Sequence, residues 1–471
     1  MLQPVTSEFI ATLTETLGED ILRPADALYL EEPRKRIAGH AGAVVAPRNT
    51  QEVSDVLKLC SRYLVGVIPF GGGTGLVGGQ IMAADQGPAP LILSLERMNT
   101  MRAIYPSENV LVAEAGMTLA SIQEEAEKEN RLFPLSLASE GSCRIGGNLA
   151  TNAGGVNVLR YGNTRDLCLG VEAVLADGSV LNNLSRLRKD NTGYDVKNLL
   201  IGSEGTLGVI TAASLRLSPR PARVGTAVLV VRDPAAALEL LGIARDLSGD
   251  GVSAFELLSG TGVGFVRDTL PEIYQSFADV PEWSVLVEFG LPAALDPETL
   301  LEQLFVQGAE AGLVSDGVIA QSLAQRNQLW SLREHIPAAN KKVGAIVSHD
   351  ISLPLSALAE FIPHGMEKVA EIAPVRVNCF GHLGDGNLHY NVFPPVGETR
   401  EAWAHVRDDI ERLVHDLVHD YGGSFSAEHG IGRMKASELI RYADPTRYRV
   451  MKQMKAALDP LGILNPGAVL T

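Results

Sequence analysis

Cysteine is scarce and scattered in this chain. Its four thiols, Cys60, Cys143, Cys168 and Cys379, form no CxxC pair. That excludes a disulfide framework and points to free thiols in a reducing compartment. Basic clusters are missing too. Acidic residues number 56 against 40 basic, and no Lys/Arg patch offers the footprint of a nucleic-acid binder. No apolar stretch approaches the roughly 18 residues of a membrane helix, so no integral membrane segment is expected. The start, Met1-Leu2-Gln3-Pro4-Val5-Thr6-Ser7-Glu8, lacks a basic run leading into an apolar one, so no export signal is expected. Repeats and low-complexity tracts are absent. What remains is a soluble, acidic, cytoplasmic protein of 471 residues, long enough for two or three domains with full cores.

The stretch 50–64 puts Val53, Val56, Leu57, Cys60 and Leu64 on one stripe. This predicts an amphipathic helix capped by Thr50. Strands are expected over 65–69, 91–95, 110–115 and 171–175, with a polar helix over 119–129. Ser218-Pro219-Arg220-Pro221 reads as a domain boundary. Beyond it, strands at 226–231 and 283–288 mix with helices at 234–244, 298–311 and 357–372, the pattern of a separate α+β domain.

Three glycine-dense segments precede that boundary, at 70–79, 139–166 and 199–210. The first contains Gly73-x-Gly75-x-x-Gly78, a letter match to the dinucleotide fingerprint. The residues after it, through Asp85-Gln86-Gly87-Pro88-Ala89-Pro90, are too rich in glycine and proline to hold a crossover helix. A nicotinamide site is therefore the weaker reading, although Glu96 lies near the distance of a ribose-binding acid. The stronger reading is a set of loops whose exposed N–H groups line a pyrophosphate. Glycine lets the backbone approach closely and take φ > 0.

Near the C-terminus, Gly381-His382-Leu383-Gly384-Asp385-Gly386-Asn387-Leu388-His389 and Ser426-Ala427-Glu428-His429-Gly430 hold three of the ten histidines. Gly384-Asp385-Gly386-Asn387 is turn chemistry, and a hairpin there brings His382 and His389 to one side. Glu428 would arrive from a distant segment as a third donor. Imidazole and carboxylate are what a divalent transition metal binds, although the spacing matches no short zinc signature. His429 is then a spare imidazole for proton abstraction. Asp385 reads as a turn residue, with a ligand role as the alternative.

Together with Leu464–Gly467, these motifs resemble the vanillyl-alcohol-oxidase/PCMH-type FAD flavoproteins, in the branch of the D-2-hydroxyglutarate and D-lactate dehydrogenases. The resemblance implies an α+β fold. A helical lead-in (1–37) would precede a PCMH-type FAD-binding domain of two α+β subdomains (38–218). An α+β substrate or cap domain with an antiparallel sheet (219–420) would follow, then a segment returning to the FAD and active site (421–471). Pro69, Phe70, Gly71, Gly72, Gly73, Thr74, Gly75 and Leu76 would cradle the pyrophosphate. Ser139, Gly141, Ile145, Gly146, Gly147, Thr151, Asn152, Gly155 and Gly162 would wrap its other side. Glu204, Gly205, Val209 and Ile210 would reach the adenosine end, and Asn465 would return to the flavin. By the same resemblance His382, His389 and Glu428 would bind the metal, zinc first, with Mn or Fe also suited to such a set. His429 would be the base, and Arg333 and Asn391 would hold the substrate carboxylate. The first loop lacks the histidine of covalently flavinylated members, so FAD is expected without a covalent link, and Cys143 is read as a packed thiol.

The implied activity is oxidation of a D-2-hydroxy acid to the 2-oxo acid, with hydride passing to FAD. Electrons would go on to an acceptor such as an electron-transfer flavoprotein or quinone, and the assembly would be a homodimer. Two positions depart from the 2-hydroxyglutarate pattern: Ser348 stands where a lysine is usual, and Pro337 occupies another carboxylate-binding position. A short hydroxyl does not replace a reaching ammonium. An oxidase using O₂, a flavin electron-transfer subunit without its own substrate, and a pyridine-nucleotide dehydrogenase are the competing readings.

Overall fold

The computed structural model describes residues 1–471, and the chain divides into two compact units. The first comprises 1–154, 161–220 and 428–471; the second comprises 155–160 and 221–427.

In the first unit, β1 (Leu22–Arg23), β2 (Ala43–Val45), β3 (Val67–Phe70) and β4 (Leu91–Ser94) form one sheet in the order β1-β2-β4-β3. β2 and β3 both run parallel to β4. β2 and β4 are buried along their whole length, as strands covered on both faces should be. The helix Thr50–Tyr63 packs Val53, Val56, Leu57 and Cys60 into the core that holds these strands. Its cap is Asn49 rather than Thr50: the Asn49 side chain accepts from the Glu52 N–H, and Thr50 Oγ1 instead donates to Glu172.

A second sheet is antiparallel. It contains β5 (Met101–Tyr105), β6 (Val110–Glu114), β8 (Cys168–Val174), β9 (Val180–Asn183) and β10 (Val209–Arg216), in the order β5-β6-β10-β8-β9. The short β7 (Arg131–Leu132) pairs with β11 (Ser218–Pro219) beside it. All four cysteines of the chain are buried free thiols, and burial pushes the Cys143 thiol up.

In the second unit, β12 (Arg223–Val231), β13 (Val252–Ser259), β14 (Trp283–Leu291) and β15 (Val314–Ile319) form an antiparallel sheet in the order β13-β14-β12-β15. Its two faces follow the two-residue period. Leu257, Val285 and Val287 pack with the helices Pro234–Ser248 and Pro297–Glu310, while Leu258, Leu286 and Val228 pack with Gly260–Thr269 and Leu323–Val343. The helix Leu323–Val343 has no counterpart among the expected elements. It is polar overall and has Pro337 inside it, so its periodicity is weak.

The last sheet is β16 (Val347–Ser352), β17 (Arg376–Phe380) and β18 (Asn387–Phe393), with β18 central and antiparallel to both. β18 alternates strictly. Leu388, Tyr390 and Val392 enter the core of the second unit, and His389 and Asn391 share the opposite face. No helix is long and apolar enough to cross a membrane.

Glu172 ties the first unit together. It is 7% exposed on β8 and accepts from Thr50, Arg102 and Thr211. Burial alone would raise its pKa, but Arg102 and the hydroxyl donors hold it below the usual carboxylate range. Stability from this group is therefore present above the unfolded carboxylate pKa and fades as pH falls through the folded one. Glu172→Gln should cost about 1–3 kcal/mol at neutral pH, and denaturation curves of variant and parent should converge in acid.

Candidate active site

The three glycine segments meet in the first unit. β3 runs directly into the loop 71–79. A Cβ on Gly71 would lie 3.3 Å from the Gly147 Cα, and one on Gly72 would lie 2.2 Å from the Ser142 oxygen. Gly73 and Gly78 both have a φ of 71°. From the third segment, Gly205 (φ 71°) packs its Cα against Pro69, and the Glu204 and Gly202 N–H groups donate to the Ala150 and Leu149 oxygens of the helix Ile145–Thr151. Residues 141 and 147 face open space: nothing lies within 4 Å of a Cβ at Gly141, and only the Gly71 Cα (3.9 Å) lies near one at Gly147. Buried polar atoms without a protein partner border the same segments, namely Asn148 Oδ1, Ser203 Oγ and Arg433 Nε. Open glycine backbone with orphaned polar atoms around it fits an extended dinucleotide.

The first loop is followed by a single 3-10 turn, Ala84–Gln86, and no crossover helix. Glu96 is already bound to Tyr29 and Arg23. Both features remove the nicotinamide reading. Thr74, Leu76, Ile145, Gly146, Thr151, Asn152, Gly162, Val209 and Ile210 also lie in the first unit; Gly155 opens the short stretch 155–160 counted with the second.

Two expected cofactor contacts are otherwise engaged. Glu204 is buried, and its oxygens accept the N–H groups of Ile431 (2.7 Å) and Gly432 (2.8 Å). Burial pushes its pKa up against the pull of those donors and Arg433. Asn465 donates to the Gly79 and Glu204 oxygens and accepts from Arg433. Arg433, which carried no signal in the sequence, also binds the Gly78, Gly79 and Pro466 oxygens. These side chains tie the glycine loops to the C-terminal segment.

In the second unit, β17 and β18 form a hairpin closed by a 3-10 turn at Leu383–Asp385. Asp385 is a turn residue, accepting from the Asn387 N–H. Gly386, at φ 87°, leaves no room for a side chain, since its Cβ would meet the Leu353 oxygen at 2.2 Å. The hairpin sets the His382 and His389 rings 5.7 Å apart, centroid to centroid. The segment after Ser424 is held to β16 by bonds from Ser424 to Ser352 and from the Ala427 N–H to the Asp350 oxygen. Glu428 is the next residue. His382 and His389 supply two imidazoles from the second unit, and Glu428 and His429 belong to the first. Two imidazoles side by side are donors suited to a borderline divalent cation, and a carboxylate would complete such a set.

One residue at this site was not among the expected ones. Glu256, on β13, is 1% exposed. Its Oε1 lies 2.7 Å from His382 Nδ1, and its Oε2 accepts from Arg333 Nε at 2.8 Å. Burial would raise its pKa, but His382 and Arg333 outweigh that and hold the carboxyl at about 2. Arg333 has no other hydrogen-bonding partner in the protein. Its guanidinium sits 5.0 Å from the Phe380 ring, which packs on His389 at 5.0 Å. Asn391 lies one alternation beyond His389, opposite Ser348 and Asn378. Ser348 is exposed, and Pro337 is exposed one turn past Arg333. A lone carboxylate in the apolar run Val252–Ser259 was the available signal, because a buried charge needs partners.

Residues 41–183 match the family described as FAD binding domain, and residues 220–469 match FAD linked oxidases, C-terminal domain. D-2-hydroxyglutarate dehydrogenase, mitochondrial, of Arabidopsis thaliana is 38% identical over 100% of this chain and 83% of its own length. The Bos taurus protein of the same name is 40% identical over 99% of this chain and 84% of its own. The chain belongs to the PCMH-type FAD-linked oxidases. A D-2-hydroxyglutarate dehydrogenase of Xanthomonas citri is 36% identical over 90% of this chain and 88% of its own. Among solved structures of the family's fold, p-cresol methylhydroxylase superposes with a TM-score of 0.75 at 16% identity over 100% of this chain and 98% of its own. Family membership makes this chain an FAD-dependent oxidoreductase. It also corrects the expectation of a cytoplasmic location, because the Arabidopsis and Bos relatives are named mitochondrial. Acidic balance and free thiols describe any reducing compartment and do not separate one from another.

The Gly72 approach to Ser142 yields a direct test. Gly72→Ala should fold but purify with most of its flavin lost, read as the ratio of visible to ultraviolet absorbance against the parent.

Proposed function

We propose that this protein oxidises a D-2-hydroxy acid to its 2-oxo acid with FAD and a divalent cation. The carrying observation is the pair of imidazoles, His382 and His389, that one hairpin sets 5.7 Å apart, with the buried Glu256 on His382 Nδ1. The relatives' names supply the substrate class. When bound, FAD would supply the hydride acceptor and the cation would lower the pKa of the substrate hydroxyl. His382, His389 and Glu428 would hold the cation, with zinc as the first candidate. His429 accepts the hydroxyl proton. The unpaired Nη nitrogens of Arg333 form a fork for the substrate carboxylate, with Asn391 beside it. FAD is bound without a covalent link. The first unit supplies the FAD-binding domain and the second the substrate domain. On the resemblance alone, the acceptor is an electron-transfer flavoprotein or quinone and the assembly a homodimer.

The relatives' names favour 2-hydroxyglutarate, whereas Ser348 leaves one expected cation missing. A substrate without a second carboxylate answers that gap.

Anaerobic mixing with a panel of D- and L-2-hydroxy acids tests the reading. The flavin should bleach with D-acids and no partner protein, and chelator should abolish it. A protein that stays oxidised with every acid would defeat the proposal. His429→Ala should lower turnover by about 10²–10⁴. Ser348→Lys should shift preference towards D-2-hydroxyglutarate, seen as a lower KM for the dicarboxylic acid with kcat little changed.

A further inference from the structure

Glu256 stands where the proposed cation site and the proposed carboxylate site meet. It is 1% exposed, and each oxygen has one partner: Oε1 with His382 Nδ1 at 2.7 Å, Oε2 with Arg333 Nε at 2.8 Å. Both contacts follow from the fold. Leu257, the next residue, exchanges backbone hydrogen bonds with Gly381, which sets Glu256 beside His382. Glu256 also points to the sheet face that packs on the helix Leu323–Val343, where Arg333 lies. An ionised carboxylate only accepts hydrogen bonds. A neutral His382 facing it must therefore carry its proton on Nδ1, which leaves the Nε2 lone pair for a cation. Arg333, committed through Nε, keeps its two Nη nitrogens for another anion.

We infer that Glu256 is a positioning residue that sets the tautomer of His382 and the aim of Arg333 with one carboxylate, so that cation binding and substrate-carboxylate binding depend on the same side chain. This rests on the metal-assisted reading above. A glutamine cannot do both jobs. Its oxygen accepts from one neighbour while its amide turns N–H groups towards the other. If the amide faces His382, it favours the tautomer whose Nε2 carries the proton, which cannot ligate. An aspartate keeps the charge beside Arg333 but is too short to reach both partners.

Flavin-loaded parent, Glu256→Gln, Glu256→Asp and His382→Ala proteins, stripped of metal, would be titrated with cobalt(II) and followed by its visible spectrum. Thermal melts and flavin content check that each variant is folded. The Asp variant keeps the test open if the Gln variant fails to fold. Both Glu256 variants should bind cobalt about 10–100-fold more weakly with unchanged flavin content, and the cobalt bands should shift. With cobalt saturating, kcat should largely return. KM for the 2-hydroxy acid should stay raised by roughly tenfold, the size of one charge-assisted hydrogen bond. A structural role alone would move neither the bands nor the split between KM and kcat. Cobalt affinity equal to the parent's in both variants, with His382→Ala deficient, overturns the role of Glu256 and leaves the metal reading intact. No cobalt binding by the parent overturns both.

Discussion

The second unit depends on one buried charge. Placing Glu256 at 1% exposure in an otherwise apolar strand would be prohibitive without compensation, because an isolated carboxylate loses its hydration there. The compensation comes from an imidazole and a guanidinium, one on each oxygen. Such an arrangement adds little net stability compared with apolar packing, but it tolerates no loss of a partner. It therefore constrains β13, the β17–β18 hairpin and the helix Leu323–Val343 to one mutual arrangement. The polar face of β18 inherits its geometry from that arrangement. His389 packs on Phe380, Phe380 lies under Arg333, and Arg333 is held by Glu256.

The first unit is organised by close backbone approach instead. Gly71 against Gly147, Gly72 against Ser142 and Gly205 against Pro69 are contacts that a side chain would block. Three loops from distant parts of the chain can then line one surface with N–H groups. Glu204, Arg433 and Asn465 fasten these loops to the C-terminal segment through a network with few solvent-facing atoms. Burial lowers the Arg433 pKa to about 10, a measure of how far this guanidinium is removed from water. Glu204 of the third glycine segment is thus clasped to Arg433 and Asn465 of the C-terminal segment and through them to the first loop.

Much of the fold was readable in the chain. The stripe of Val53, Val56, Leu57 and Cys60 marked its helix, and short apolar runs marked β4, β6 and β12 to within a few residues. The helix Leu323–Val343 was missed because Pro337 and a polar composition blur its period, and tertiary packing of Leu329, Leu332 and Ile336 outweighs weak propensity. The cap lies one residue from the expected position because Asn49 and Thr50 are both good caps, and the distant Glu172 engages the Thr50 hydroxyl. The turn at Gly384–Asn387 was legible, since its Asx bond and its glycine at φ 87° are local chemistry.

Sequence alone determined which donor types lie near the site, the hairpin that pairs His382 with His389, and the glycine positions where backbones can touch. These are properties of neighbouring residues and of short periods. Only the tertiary structure decided what each polar atom binds. Glu256 and His382 are 126 residues apart, and Glu204 reaches Ile431 across 227. Desolvation forces such groups to find partners wherever the fold brings them, and no local pattern in the chain records which partner that is.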